Sequence, residues 1–245
     1  MPKRIPILVT GAHRTGTTWV GKMLAASGEA AYISEPTNVL HRPGVLRAPT
    51  PYWYFYICEQ NGAEYLPALQ ETLAFRYHTR NELRAVLSAP KEQIKKDAMR
   101  MGRDWAIFFD GWLWRKRSLL KDPFALFSLP WFAEHLGCQV VITIRHPAAF
   151  ASSLKRLSWP FDFGDLLKQP LLMHNLLEPY REEMEKMARE FAASAAPDPV
   201  APASLLWRIV YQVVAQFQKQ YPSFRVVRHE DLSVEPLESY RNLYQ

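Results

Sequence analysis

The sequence predicts a three-layer α/β fold: a parallel sheet covered by helices on both faces and opened by a phosphate-binding loop. Three observations predict it. Strand-like and helix-like patterns alternate along the chain, a central strand pattern is apolar on both faces, and the first strand runs through a glycine loop into a helical pattern. A strand covered on both sides has no polar face, and Val140-Val141-Ile142-Thr143-Ile144 reads that way. In such sheets ligands lie at the carboxyl ends of the strands, so the polar residues ending each strand are the first candidates for chemistry.

In chain order, the strand patterns are Ile5–Thr10, Ala31–Ser34, Ser118–Lys121, Gln139–Ile144 and Phe224–Arg228. Helical patterns cover Thr18–Ala26, Leu83–Ser88 with its flanks, Phe124–His135, Pro147–Leu157, Glu178–Ala193 and Ala203–Gln220. Pro147 suits a first helical position, where its missing N–H costs nothing. Two regions interrupt the alternation. Residues 40–117 are rich in aromatic and cationic residues, and residues 158–177 begin with Trp159-Pro160-Phe161-Asp162-Phe163-Gly164. Both read as insertions that wall an acceptor pocket, with ordinary aromatic packing as the competing account of most of these rings. The Ala/Pro stretch 192–203 reads as a surface loop, and residues 1–245 read as one domain with an insertion at about 40–117.

The chain has 245 residues, 48% hydrophobic and 13% aromatic, ample for a large core and against general disorder. Thirty Lys and Arg against 24 Asp and Glu give a charge of +6, which suits an anionic ligand or nucleic acid. Cys58 and Cys138 stand far apart without CxxC spacing, so neither a disulfide framework nor a cysteine metal site is expected. No window approaches the ~18 consecutive apolar residues of a membrane helix. Met1-Pro2-Lys3-Arg4 leads straight into the first strand without a signal peptide, so the expected location is cytoplasmic.

The loop Gly11-Ala12-His13-Arg14-Thr15-Gly16-Thr17-Thr18-Trp19 follows the first strand and opens a helix. Backbone N–H groups and a helix N-terminus in that arrangement cradle a phosphate. It is nearly a Walker A loop, but Thr17 stands where that motif has its lysine, which argues against splitting of a nucleoside triphosphate. Arg14 supplies a cation from another position. The alternative for the same residues is a plain helix cap by Thr17 or Thr18. A second motif, Arg145-His146-Pro147 through Ser153, follows the buried strand 139–144. An arginine at the sheet edge and a hydroxyl two turns into the next helix can clamp another phosphate, without the magnesium-binding aspartate that often ends this strand.

These two motifs together resemble the sulfotransferases that use 3′-phosphoadenosine-5′-phosphosulfate, in which an arginine and a serine likewise stand eight positions apart. Two further segments match. Leu119-Leu120-Lys121-Asp122-Pro123 is similar to a strand end whose lysine contacts the transferring sulfuryl group. Val226-Val227-Arg228-His229-Glu230-Asp231-Leu232, followed by Pro236, resembles a late "YEDL…P" segment with His229 in the tyrosine position. The resemblance spans residues 11–237 and implies a P-loop-like sheet. It implies that Gly11, Arg14, Thr15, Gly16, Thr17 and Thr18 hold the 5′-phosphosulfate, that Trp19 stacks on adenine, and that Arg145 and Ser153 hold the 3′-phosphate. Arg14 and Lys121 would stabilise the charge developing in transfer. Proline at position 123 excludes a histidine base two residues after the lysine, so the base is expected to be Glu35, with Asp122 as the alternative. The competing role for Glu35 is a turn cap or a pair with a cation such as Arg42. His13 and His146 are expected to be structural or solvated, and Glu230 and Asp231 to anchor a loop.

The resemblance further implies a small-molecule or carbohydrate hydroxyl as acceptor, no metal, and no nucleic-acid or membrane partner. Family members usually continue to a basic glycine loop closing over the 3′-phosphate, whereas this sequence stops at Gln245, so a fragment or a different lid is expected. Two rivals remain at this level: a small-molecule or nucleoside kinase on the same fold, and a non-catalytic module binding nucleic acid through the positive charge.

Overall fold

The structure is a computed structural model that describes residues 4–244. In chain order its elements are β1 (Ile7–Gly11), α1 (Thr17–Leu24), β2 (Ala30–Ser34), α2 (Gly62–Leu73), α3 (Thr79–Ser88), α4 (Lys91–Leu113) and β3 (Arg117–Lys121). There follow α5 (Leu129–Leu136), β4 (Gln139–Ile144), α6 (Pro147–Arg156), the short turns α7 (Gly164–Leu167) and α8 (Pro170–Leu172), and α9 (Arg181–Ala193). The chain then forms α10 (Val200–Gln220), β5 (Arg225–Arg228), α11 (His229–Val234) and α12 (Pro236–Tyr244).

The five strands form one sheet in the order β2-β3-β1-β4-β5, every neighbouring pair parallel. Alternation along β1 sends Leu8 to one face and Ile7 and Val9 to the other, because successive side chains of a strand point oppositely. Leu8 joins the large core beneath α5, α6 and α10, with Phe132, Phe150, Leu206 and Ile209. Ile7 and Val9 join a smaller core with Val20 and Leu24 of α1, Leu232 of α11 and Tyr240 of α12. Helices on both faces of a parallel sheet give the three layers expected of the α/β pattern.

The differences from the sequence reading have local causes. The run Phe124–His135 is not one helix: a 3₁₀ segment spans Pro123–Ser128 and α5 starts afresh at Leu129, with Pro130 in its first turn. Proline has no N–H to continue a helix but fits the start of one. Helices α2 and α4 lie inside the insertion at 40–117, where the sequence reading marked a helical pattern only around Leu83–Ser88. Helix α4 carries apolar residues at helical spacing, Ile94, Ala98, Met101, Trp105, Phe108 and Trp112, a period the sequence reading did not pick out, and only Phe108 and Gly111 of its 23 residues are fully buried.

The order β2-β3-β1-β4 positions the site. The end of β1 sits between the ends of β3 and β4, and the register pairs Val9 with Lys121 and Gly11 with Thr143. Ser34 of β2 pairs with Lys121. Glu35 therefore leaves the sheet beside Lys121 on one side of the glycine loop, and Arg145 leaves it on the other.

Candidate active site

The loop joining β1 to α1 is tied down by its buried side chains. The Thr15 hydroxyl donates to the Ala12 carbonyl at 2.6 Å and lies 2.7 Å from the Thr143 hydroxyl of β4. Gly11 has φ +144°, and a Cβ there would stand 2.4 Å from the Thr143 carbonyl oxygen, so only glycine allows this close approach of loop to strand. Gly16, at φ +97°, is the N-cap of α1 and has no side chain to accept from the helix. With no acidic residue in that first turn, the leading N–H groups are left for an anion.

Cations and a hydroxyl converge on this end of the sheet from three elements. Arg14 occupies the left-handed region at φ 69°, a conformation non-glycine residues rarely adopt, and projects to the surface. Its Nε donates to the Ser153 hydroxyl of α6 at 3.4 Å, and Arg145 Nη1 donates to the Arg14 carbonyl at 3.2 Å. The Arg145 carbonyl accepts from Trp207 Nε1 of α10 at 2.7 Å, fixing the strand end that carries the guanidinium. Arg145 Nε and His229 Nδ1 are buried and lack a hydrogen-bond partner among the described residues. His229 packs over the loop, where a Cβ on Gly16 would stand 2.7 Å from its Nδ1. Burial first, and then the Arg145 guanidinium, hold His229 below its usual pKa, so at neutral pH it is an uncharged imidazole. Trp19 is half-buried and sits edge-on to His229 and to Tyr240 of α12, with ring centroids 5.7 and 6.0 Å apart.

On the other side of the loop, Lys121 is buried at 3% exposure and its ammonium pairs with Glu35 Oε1. Glu35 lies at φ 51°, and its N–H donates to the Lys121 carbonyl at 2.8 Å. Arg42 does not reach it: that guanidinium pairs with Glu82, Asp97 and Asp104. Asp122, adjoining Lys121, is fully buried, and its carboxylate accepts three hydrogen bonds. Oδ2 accepts from the Thr37 N–H at 2.6 Å and hydroxyl at 2.9 Å, while Oδ1 accepts from the Phe124 N–H at 3.0 Å. Burial raises its pKa to about 6 against these hydrogen bonds. Asp122 clamps the segment after β2 to the end of β3.

A cavity of about 380 Å³ opens next to Lys121 and Thr18. Ile33 and Tyr32 of β2, Val45, and Ile107 and Phe108 of α4 form its apolar walls, and Lys22, Arg103 and Asp104 its polar rim. The 40–117 segment thus reaches the site through α4 and Val45. The 158–177 segment does not line this cavity but packs on the glycine loop: Trp159 and Phe161 lie against His13, which the Tyr54 hydroxyl holds through the backbone N–H at 3.1 Å and Nδ1 at 2.8 Å. Burial, aided by Arg14, lowers the His13 pKa to about 4, so it is a neutral strut. His146 caps α6, accepting from the Ala148 N–H at 3.3 Å, and its own N–H donates to Glu230 at 2.9 Å, which ties α11 to β4. A larger cleft of about 1030 Å³ lies at the amino ends of β1 and β3, lined by Pro6, Ser118, Trp112 and Trp114. It is at the opposite end of the sheet from the loop.

A glycine loop and helix N-terminus flanked by arginine and serine on one side, and on the other by a lysine that lines a small cavity and pairs with Glu35, are equipped to hold a phosphate ester and neutralise a leaving anion. The family model described as the sulfotransferase family matches residues 6–245. The chain belongs to the sulfotransferase family. A solved structure, the sulfotransferase STF1 from Mycobacterium tuberculosis H37Rv, matches at 19% identity and a TM-score of 0.41, over 98% of this chain and 66% of that one. This member of the sulfotransferase family thus spans a little under two-thirds of that protein's length. No curated protein matches it. Among the described residues no helix is long and apolar enough to cross a membrane.

The sequence motifs did not single out Asn38, whose amide donates to Glu35 Oε2 at 2.7 Å, or His229 as the group packed over Gly16. Asn38 falls three residues after Glu35 in a loop, with no period or motif to mark it. His229 was legible only as a departure from the tyrosine of the "YEDL" pattern.

Proposed function

We propose that the protein transfers a sulfuryl group from 3′-phosphoadenosine-5′-phosphosulfate to the hydroxyl of a compact acceptor. The observation that carries this reading is the meeting of Arg14, Ser153 and Arg145 beside an uncapped helix N-terminus, with Arg145 Nε buried and unpartnered. A buried guanidinium N–H without an acceptor is costly, and a phosphate oxygen would satisfy it. In this reading the N–H groups and hydroxyls of Gly16, Thr17 and Thr18 take the 5′-phosphosulfate, Arg145 and Ser153 take the 3′-phosphate, and Trp19 lies against the adenine. Thr15 contributes by bracing the loop.

The bound donor supplies the sulfuryl group, whose bond to the phosphate oxygen breaks as the bond to the acceptor oxygen forms. Fixed positive charge where anionic character develops lowers that barrier, and Lys121 and Arg14 provide it. Glu35, at the cavity end of β2, takes the acceptor's proton as general base. The complete burial of Asp122 and its three structural hydrogen bonds favour Glu35 over it. The apolar walls of the cavity suit a small hydroxyl compound, and residues 40–117 act as part of the same domain by supplying those walls.

The test is transfer of radiolabelled sulfate from the donor to a panel of hydroxyl acceptors, alongside calorimetric binding of adenosine 3′,5′-bisphosphate. Transfer that falls roughly 10²- to 10⁴-fold in Glu35→Gln while nucleotide binding persists supports the reading. Magnesium-dependent ATP turnover, or no binding of the bisphosphate, refutes it.

A further inference from the structure

Glu35 is held by two groups, and only one of them is free to stay when the donor arrives. We propose that Asn38 is a positioning residue for sulfuryl transfer: its side-chain amide holds the Glu35 carboxylate, through Oε2, in the orientation that receives the acceptor's proton. The inference rests on Glu35 being the base.

The geometry is specific. Asn38 Nδ2 donates to Glu35 Oε2 at 2.7 Å, while Oε1 faces the Lys121 ammonium. The orientation of the amide is fixed by its other end, because Oδ1 accepts from the Leu40 N–H at 2.7 Å. The Asn38 main chain is anchored as well: its carbonyl accepts from the Thr50 hydroxyl at 3.1 Å, and its N–H donates to the Glu35 carbonyl at 3.2 Å. Glu35 itself stands in the left-handed region, so its direction depends on what surrounds it. In the reading above, Lys121 turns toward the sulfuryl oxygens when the donor binds. Glu35 then loses its cation, and Asn38 remains as the donor that keeps the carboxylate aimed. The buried Asp122 and Tyr54 both feel the Glu35 charge.

Asn38→Asp separates positioning from folding. It keeps the oxygen that accepts from Leu40, removes the N–H donor, and sets a carboxylate against Glu35. The expected result is a 10- to 100-fold fall in kcat with the donor KM within about twofold, the scale of a hydrogen bond to a charged group. The acid limb of the pH–kcat profile moves to higher pH, the melting temperature stays near wild type, and Asn38→Gln restores part of the rate. A wild-type kcat and acid limb in Asn38→Asp, or a loss confined to KM and melting temperature, overturns the proposal. Glu35→Gln runs in parallel to separate the two claims. If Glu35→Gln is inactive and Asn38→Asp is not impaired, Asn38 has no positioning role. If Glu35→Gln keeps full activity, the base assignment has failed, and the role of Asn38 with it.

Discussion

Replacing Arg145 with alanine tests the 3′-phosphate site with a predictable magnitude. The Arg145 guanidinium is half-buried and gives one hydrogen bond to the Arg14 carbonyl at 3.2 Å, while its Nε has no partner. Its removal therefore takes little from the folded state, and the melting temperature should hardly move. A charge-assisted hydrogen bond to a ligand is worth about 1.5–3 kcal/mol. At RT ≈ 0.59 kcal/mol that is roughly a 10- to 150-fold loss of affinity. Calorimetric titration of adenosine 3′,5′-bisphosphate and of 5′-AMP into wild type and Arg145→Ala reads this directly. The bisphosphate should lose roughly that factor, whereas 5′-AMP, lacking the 3′-phosphate, should bind both proteins alike. Ser153→Ala, which removes the hydroxyl that Arg14 contacts, should act on the same ligand in the same direction. Equal weakening of both nucleotides, or none of either, would refute the assignment of Arg145 to a 3′-phosphate.

Two other expectations follow from the same geometry. Gly16→Ala places a Cβ at φ +97° and 2.7 Å from His229 Nδ1, so it should cost about 1–3 kcal/mol in chemical unfolding and weaken bisphosphate binding as the loop shifts. Asp122 and His13 should show opposite pH dependences of stability. The Asp122 carboxyl is raised to about 6, so the native state binds its proton more tightly than the unfolded chain, and its contribution, on the order of 3 kcal/mol, is lost as pH rises from about 4 to 6. His13 is lowered to about 4 from 6.5, so its contribution is present above pH 6.5 and lost as pH falls toward 4. Urea unfolding of Asp122→Asn and His13→Phe against wild type across pH 4–7 should give differences of opposite slope. Parallel slopes would contradict the burial assigned to one of them.

The sheet and both ligand motifs were legible because their signals are local. The strand patterns at 31–34, 118–121 and 139–144 each fall within a residue of the observed bounds, since burial on both faces demands a continuous apolar run. The glycine loop and the Arg145–Ser153 pair stood out because their residue types stand at fixed spacing, and the structure brings them together at one end of the sheet. The apolar period of α4 was passed over among the aromatic and cationic residues of 40–117, and the break before Leu129 was missed because an apolar run reads alike as one helix or two.

What the sequence by itself determined is thus the fold class, the family and the residues that could meet an anion. Only the tertiary structure decided how they divide. The strand order puts Glu35 beside Lys121 and Arg145 against Arg14, pairs separated by 86 and 131 positions in the chain. It also sets two neighbouring carboxylates apart: Asp122 is fully buried on Thr37 and Phe124, while Glu35 reaches Lys121 and Asn38. The physical reason is that motif spacing is set by the local path of the backbone. Ion pairs, burial and cavity walls arise from strand order and helix packing, which bring together residues no local pattern connects.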